Sequence, residues 1–189
     1  MGNTASTASM QVCGAAVWGL TIHSSRRRFA ARLNSGVRPQ VMIRRVVQKD
    51  STGCGIACAA MLSGTTYRRA KLLAIDLGIA SDRPPYYTSS RDLSLLLRKL
   101  GLEPSRGRRL SRWESLQCLS VVGINHNDET DTWHWVVYVP TANGGYVLDP
   151  KKSIKSARRV DFGRMTPCSC IPVLRPNKSF KPTPLRGPA

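Results

Sequence analysis

A cysteine between two glycines is the residue of this chain best placed to act as a nucleophile. It is Cys54, in the stretch QKDSTGCGIACAAM that runs from Gln48 to Met61. Small or apolar helix formers follow it, which predicts a loop that runs into a buried helix with the thiol in the first turn. The unpaired N–H groups of a first turn favour a thiolate, and the glycines let a substrate backbone approach the sulfur. Gln48 lies six positions earlier, and its amide could donate a hydrogen bond to an oxyanion beside Cys54.

A catalytic thiol needs a base, and the base needs a group that orients it. The segment TWHWVVYVP, residues 132–140, has the alternation of a strand and carries His134. A Gly-Gly turn then leads into YVLDP, a second strand that ends in Asp149. A cysteine that opens an apolar helix usually packs in the core, and Cys58 fits that interpretation. Taken together, however, the three residue types in this order predict a nucleophile, a base and an orienting acid.

The order and layout of these residues resemble the site of a papain-like cysteine peptidase, and the finer spacing resembles the C39 family. The resemblance is carried by Gln48, by Cys54-Gly55 followed by Ala57 to Met61, by His134 before a pair of valines, and by Asp149-Pro150. That family contains bacteriocin-processing domains and their stand-alone C39-like relatives. The chain departs from the usual pattern at Gly53, since family members usually have an acidic residue just before the cysteine.

The resemblance implies an α+β papain-like fold, with N-terminal helices packed on a C-terminal antiparallel sheet. It implies a cysteine peptidase that hydrolyses a peptide or protein substrate, after a Gly-Gly pair where the substrate is a leader peptide. The implied site is a triad of Cys54, His134 and Asp149, with Gln48 as the oxyanion donor. A separately encoded ABC transporter is the partner that the resemblance suggests, because the chain has no phosphate-binding glycine loop of its own.

Periodicity predicts three helices in the first half of the domain. The first runs from Cys54 to about Gly64, a C-cap position, and the second covers 67–77. A capping box of Ser89 and Asp92 predicts the start of the third. Strands are predicted afterwards at 115–125, 132–140, 146–149 and 171–174. Helices followed by antiparallel strands make an α+β domain.

Alternation along the strand 132–140 predicts which side chains share a face. Trp133, Trp135, Val137 and Val139 should point one way, and His134, Val136 and Tyr138 the other. The imidazole is therefore expected on the face opposite the tryptophans.

Composition divides the chain into three parts. The peptidase-like domain is predicted at 42–174. Residues 1–41 are rich in Ser, Thr, Ala and Arg without sustained periodicity, which predicts a disordered or loosely helical leader. Residues 175–189 are basic and proline-rich, which predicts a disordered tail.

The formal net charge of +18 is extreme and is spread over several basic runs. Such runs are most often a solvated surface, but an acidic peptide, an anionic membrane surface and nucleic acid stay open as partners. Six cysteines without disulfide spacing, and only three histidines, predict free thiols in a reducing compartment, with neither metal nor cofactor. No stretch reaches the ~20 apolar residues of a membrane span, so the expected location is the cytoplasm, or the inner face of the membrane as a peripheral protein.

Two alternatives come from other functional classes. One is a catalytically idle C39-like domain that binds leader peptides without cutting them, although it would not need Cys54, His134 and Asp149 together. The other is a basic nucleic-acid-binding protein in which the motif is accidental. That alternative has no recognisable binding motif and few aromatic residues among its arginines.

Overall fold

The computed structural model describes residues 42–174, and in this range three α-helices precede an antiparallel sheet. The helices are α1 (Cys54–Ser63), α2 (Tyr67–Asp76) and α3 (Ser90–Lys99). The strands are β1 (Glu103–Pro104), β2 (Arg108–Arg109), β3 (Ser120–Asn127), β4 (Thr132–Thr141), β5 (Gly144–Leu148) and β6 (Pro167–Leu174). The leader predicted at 1–41 and the tail predicted at 175–189 lie outside the described residues.

The helix boundaries follow from local chemistry, and two of them, at Gly64 and Ser89, were predicted. Gly64 ends α1 in the left-handed conformation, with φ of 69°, which glycine adopts without a steric penalty. Thr66 caps α2 by accepting a hydrogen bond from the backbone N–H of Arg69. The predicted capping box is confirmed at α3, where Ser89 and Asp92 each accept from the other's backbone N–H.

The sheet has the strand order β1-β6-β3-β4-β5, and β2 also pairs with β6. All of these pairs are antiparallel. The hairpin of β4 and β5 turns at Ala142 and Asn143, so the predicted Gly-Gly turn is wrong by two residues. Gly144 and Gly145 instead open β5, with φ of 105° and 155°. This hairpin brings the end of β5 alongside β4.

The strand predicted at 115–125 is wrong in its first half, because β3 begins only at Ser120. The preceding residues Trp113–Ser115 form a 3-10 helix instead. The indole N–H of Trp113 donates to the carbonyl of Met165 at 2.7 Å, and Leu116 is buried beside it. The apolar residues of this segment therefore cover the sheet from outside rather than extend one of its strands. The strand predicted at 171–174 exists but is longer, since β6 begins at Pro167.

The sheet is buried on both faces, and β4 separates two apolar clusters. Trp135, Val137 and Val139 pack with the helices, and α1 lies directly on β4. Val136 and Tyr138 point to the second cluster, which Trp113, Leu116 and Met165 complete. The alternation predicted for this strand is thereby confirmed for these residues. Among the described helices, none combines the length and the apolar character needed to cross a membrane.

Candidate active site

Cys54 is the first residue of α1 and is half-buried. Gly53 is the N-cap and offers no side-chain cap, so the N–H groups of the first turn stay directed toward the region around the sulfur. The rest of the helix, from Gly55 to Leu62, is buried, which fixes the helix on the sheet. Because α1 packs on β4, its first turn lies beside the strand that carries His134.

His134 links Cys54 to Asp149. Its Nε2 lies 2.7 Å from Oδ1 of Asp149, which follows the last residue of β5. Cys54 lies close enough to interact electrostatically with the imidazole. Since Nε2 faces Asp149, Nδ1 is the ring nitrogen left for the sulfur. The structure thus places His134 in hydrogen-bond contact with Asp149 and near Cys54.

Opposing effects set the charges of this pair. Burial by itself lowers the pKa of His134, but the hydrogen bond to Asp149 and the interaction with Cys54 raise it, to about 9. Burial by itself raises the pKa of Asp149, but hydrogen bonds from His134, the Lys151 N–H and Arg159 lower it, to about 2. At neutral pH the pair is therefore an imidazolium beside a carboxylate. Such a pair can hold a thiolate next to a proton donor.

Asp149 has a second cationic partner that the sequence did not reveal. Its side chain is only 1% exposed, and its Oδ2 accepts from Nη1 of Arg159 at 2.6 Å. Arg159 reaches it because residues 147 and 159 exchange backbone hydrogen bonds of 2.8 and 2.9 Å. The other guanidinium nitrogens of Arg159 bind Asp161. The sequence offered no signal for this role, since Arg159 belongs to a basic run that is typical of a solvated surface.

Arg45 holds the backbone at the same place. Its Nε donates to the carbonyl oxygen of Asp149 at 2.6 Å, and its Nη2 donates to the carbonyls of Lys151 and Ile154. The backbone N–H of Gln48 donates to the carbonyl of Pro150 at 2.9 Å. Hydrogen bonds thus hold the segment before α1 against the residues that follow β5.

The side chain of Gln48 serves its own loop in this structure. Its Nε2 donates to the carbonyl oxygens of Asp50 and Ser51, at 2.8 and 2.9 Å. Its Oε1 is buried and has no hydrogen-bond partner within residues 42–174. Both amide hydrogens are therefore committed to the loop, and an oxyanion beside Cys54 would have to draw one of them away.

The two glycines beside Cys54 are sites of close packing. A Cβ on Gly53 would lie 1.8 Å from the hydroxyl oxygen of Tyr67. That hydroxyl donates to Asp50, 2.9 Å away, which also binds Lys71. A Cβ on Gly55 would lie 2.1 Å from the hydroxyl of Thr88. The tyrosine gives a physical reason for a glycine at position 53, because no side chain fits there.

A cavity of about 470 Å³ opens beside Cys54. Trp133 and Trp135 line it, with their rings edge-to-face and 5.6 Å apart. Loop residues from around Thr88 and Asp131 complete the lining. We call this cavity the cleft. Cys54 lines it and also interacts electrostatically with His134, so the cleft reaches the candidate site. Residues 42–174 contain no group of three or more His, Cys, Asp or Glu side chains that could hold a metal ion.

Helices packed on an antiparallel sheet, with a cysteine at the mouth of the first helix and a histidine and an aspartate on adjoining strands, define an α+β papain-like fold. The sequence profile of the Peptidase C39 family matches residues 43–165. The chain therefore belongs to the peptidase C39 family. No curated protein sequence gives a significant match.

Solved structures of similar fold include two peptidase domains. One is a double glycine motif protease from an AMS/PCAT transporter, in complex with the leader peptide. It is 21% identical to this chain, with a TM-score of 0.51, and the match covers 72% of this chain and 94% of the protease chain. The other is the peptidase domain of Streptococcus ComA, a bifunctional ABC transporter of a quorum sensing pathway. It is 20% identical to this chain, with a TM-score of 0.54, and the match covers 71% of this chain and 100% of the ComA domain. At these identities the likeness shows a shared fold.

Proposed function

We propose that the chain is a cysteine peptidase that cuts peptide bonds after a Gly-Gly pair in a leader peptide. The observation that carries the proposal is the hydrogen bond between His134 and Asp149, with Cys54 near the imidazole and lining the cleft. Family membership supports a peptidase, and a protein of similar fold was solved with a leader peptide bound.

His134 acts first as the acid and then as the base. At neutral pH it rests as the imidazolium that has already taken the proton of the Cys54 thiol, so the nucleophile is a thiolate. Asp149 holds Nε2 and so fixes which ring nitrogen faces the sulfur. The thiolate attacks the substrate carbonyl carbon, the C–N bond breaks, and the imidazolium gives its proton to the departing amine. Water, deprotonated by the same imidazole, then attacks the thioester and releases the acid product and the thiol.

The oxyanion of each tetrahedral intermediate needs donors. The backbone N–H of Cys54, in the first turn of α1, supplies one. Gln48 supplies the second when its Nε2 turns from the carbonyls of Asp50 and Ser51 toward the substrate oxygen. Its buried Oε1 lacks a partner within the described residues, which leaves the present orientation of the amide incompletely satisfied.

Family membership and a double glycine motif protease of similar fold favour a substrate with glycines at the scissile bond. Trp133 and Trp135 line the cleft beside Cys54 and offer the peptide an apolar wall. A leader peptide that ends in Gly-Gly is such a substrate. A separately encoded ABC transporter as partner would place the chain at the inner face of the membrane.

The test combines cleavage with thiol reactivity. Gly-Gly leader peptides encoded near the gene are incubated with the protein, and products are identified by mass spectrometry. Cys54→Ala should abolish cleavage and the fast alkylation by low-dose iodoacetamide at neutral pH, whereas Cys118→Ala, a matched loss of another half-buried thiol, should keep both. Cleavage that survives in Cys54→Ala, or fast alkylation at Cys118 or Cys168 instead, would overturn the assignment.

A second candidate is a C39-like domain that binds leader peptides without cutting them. The observation that favours it is the engagement of both Gln48 amide hydrogens within the loop. Binding of a Gly-Gly peptide to a protein whose Cys54 alkylates rapidly, with no product after long incubation, would select this candidate.

A further inference from the structure

A second cavity lies along α3, and its lining is almost entirely arginine and serine. Its volume is about 460 Å³, and five of its ten lining residues are arginines, four are serines and one is a glycine. The arginines are Arg91 and Arg98 on α3 and Arg106, Arg108 and Arg109 after β1. We call this cavity the arginine pocket.

The charges of the arginine pocket are not balanced by the surrounding protein. None of its lining residues is acidic, and none of its five arginines pairs with a carboxylate within residues 42–174. A third cavity, beside Gln48, is also basic, but it is lined by lysines together with Asp50. Like charges gathered in a concavity repel one another and raise the local potential, and a bound anion relieves that repulsion. The planar guanidinium also binds carboxylates in a bidentate manner that lysine cannot reproduce.

Helix α3 connects the arginine pocket to the cleft. Ser89, the N-cap of α3, lines the cleft. Ser90, Arg91, Ser94 and Arg98 line the arginine pocket and follow one stripe of the same helix. From Ser89 to Arg98 the helix rises about 13 Å. An extended peptide covers that distance in about four residues.

We infer that the arginine pocket binds an acidic segment of the same peptide whose scissile bond lies in the cleft. This inference rests on the proposed function and adds a substrate class to it: peptides with Glu or Asp about four residues from the Gly-Gly pair. The excess of positive charge on this face then serves to select and orient substrate. Nucleic acid is the competing occupant, and the experiment separates the two.

The experiment measures binding on the full chain with Cys54→Ala, so that no turnover is needed. Two pairs of fluorescein-labelled Gly-Gly peptides are compared by anisotropy. The members of a pair differ only in carrying three Glu or three Gln at the stated distance, which lies before the Gly-Gly pair in one pair of peptides and after it in the other. In one of the two placements the Glu peptide should bind about ten-fold tighter, the sum of three exposed charge pairs. Raising the NaCl concentration to 0.5 M, an ionic strength chosen to screen such pairs, should remove most of the difference.

Two triple variants with equal loss of charge locate the effect. Arg91→Gln, Arg98→Gln and Arg106→Gln together should abolish the preference for Glu. The control combines Arg68→Gln, Arg69→Gln and Arg83→Gln, all exposed arginines outside the pocket, and should keep the preference. All six side chains are exposed, so neither variant is expected to disturb folding.

Each other outcome counts against the inference. Equal binding of the Glu and Gln peptides, or of neither, overturns it. An equal loss of preference in both triple variants would show a general basic surface instead of a site. A labelled DNA oligonucleotide that binds the pocket in preference to the Glu peptide, and loses affinity only in the pocket variant, would assign the pocket to nucleic acid. Failure of the wild-type chain to cut a peptide that binds in this way would count against the peptidase but not against the pocket.

Discussion

Replacing Arg159 with methionine tests how much of the site depends on the second partner of Asp149. Methionine keeps most of the length of the stem and removes the guanidinium. Asp149 is 1% exposed and Arg159 is 11% exposed, so their 2.6 Å contact is shielded from water. The variant leaves the carboxylate with two donors, the imidazole and the backbone N–H of Lys151.

The loss in unfolding free energy should be about 2–3 kcal/mol at pH 7. A hydrogen bond to a charged group contributes about 1.5–3 kcal/mol, and breaking a buried ion pair outright costs about 3–5 kcal/mol. The expected loss lies below the cost of breaking a buried ion pair outright, because Asp149 keeps two hydrogen-bond donors in the variant. Arg158→Met is the matched control, since Arg158 is exposed and its guanidinium only covers the ring of Tyr146 at 4.6 Å. That contact is worth about 0.5–1 kcal/mol.

The effect must depend on pH in a defined direction. The pKa of Asp149 is lowered from its ordinary value of 3.8 to about 2, so its interactions contribute stability above pH 3.8 that is lost as the pH falls through about 2. Without Arg159 the pKa of Asp149 rises. The stability difference between wild type and Arg159→Met should therefore be complete at pH 7 and smaller at pH 3.

Urea unfolding at pH 7 and pH 3 measures this difference, because urea leaves the ionic strength unchanged. The alkylation rate of Cys54 is measured in parallel and should fall in Arg159→Met, since the imidazole loses part of its support. Two results would refute the reasoning. One is that Arg158→Met loses as much stability as Arg159→Met. The other is that the stability difference between wild type and Arg159→Met is as large at pH 3 as at pH 7.

Three further predictions concern the same site. Gly53→Ala should lower the unfolding free energy by about 2 kcal/mol, because its Cβ would lie 1.8 Å from the Tyr67 hydroxyl, and adding Tyr67→Phe should restore part of it in urea unfolding. The stabilising effect of the raised His134 pKa is complete below pH 6.5 and is lost as the pH rises through about 9. The cleavage rate and the unfolding free energy should therefore fall together as the pH passes about 9. In Asp149→Asn both should fall at a lower pH. Gln48→Ala should lower kcat about 100-fold with little change in KM, and an unchanged kcat would exclude it as the oxyanion donor.

The parts of the fold that local chemistry determines were predictable from sequence. The left-handed glycine at position 64 and the capping box at Ser89 mark helix ends through interactions within a few residues. The segment around Trp113 was mispredicted because its apolar residues pack across the sheet, onto Met165, and not along a ladder. The two-residue strands β1 and β2 are too short to show any period, and only their pairing with β6 defines them.

The site divides in the same way. Cys54 and Gln48 share one loop, and His134 sits in a strand with clear alternation, so sequence alone could name them. Arg45 and Arg159 could not be named, because Arg45 meets Asp149 across 104 positions and both arginines stand in basic runs. Their function in the structure comes from the chain path that brings three separate segments to one residue, Asp149, where Arg45 binds the backbone carbonyl and Arg159 the carboxylate. No periodicity or spacing encodes that path.

The position of β6 constrains where the peptidase domain can end. The family profile matches residues up to 165, yet β6 begins at Pro167 and pairs with β3 on one side and with β1 and β2 on the other. Its Cys170 and Ile171 are buried in the two different clusters, so the strand contributes to both faces of the sheet. Without β6, strand β3 would have an unpaired edge, and β3 is the strand whose Ile124 pairs with His134. The boundary at 174 stays a prediction, but the support of the imidazole requires the chain to continue through β6.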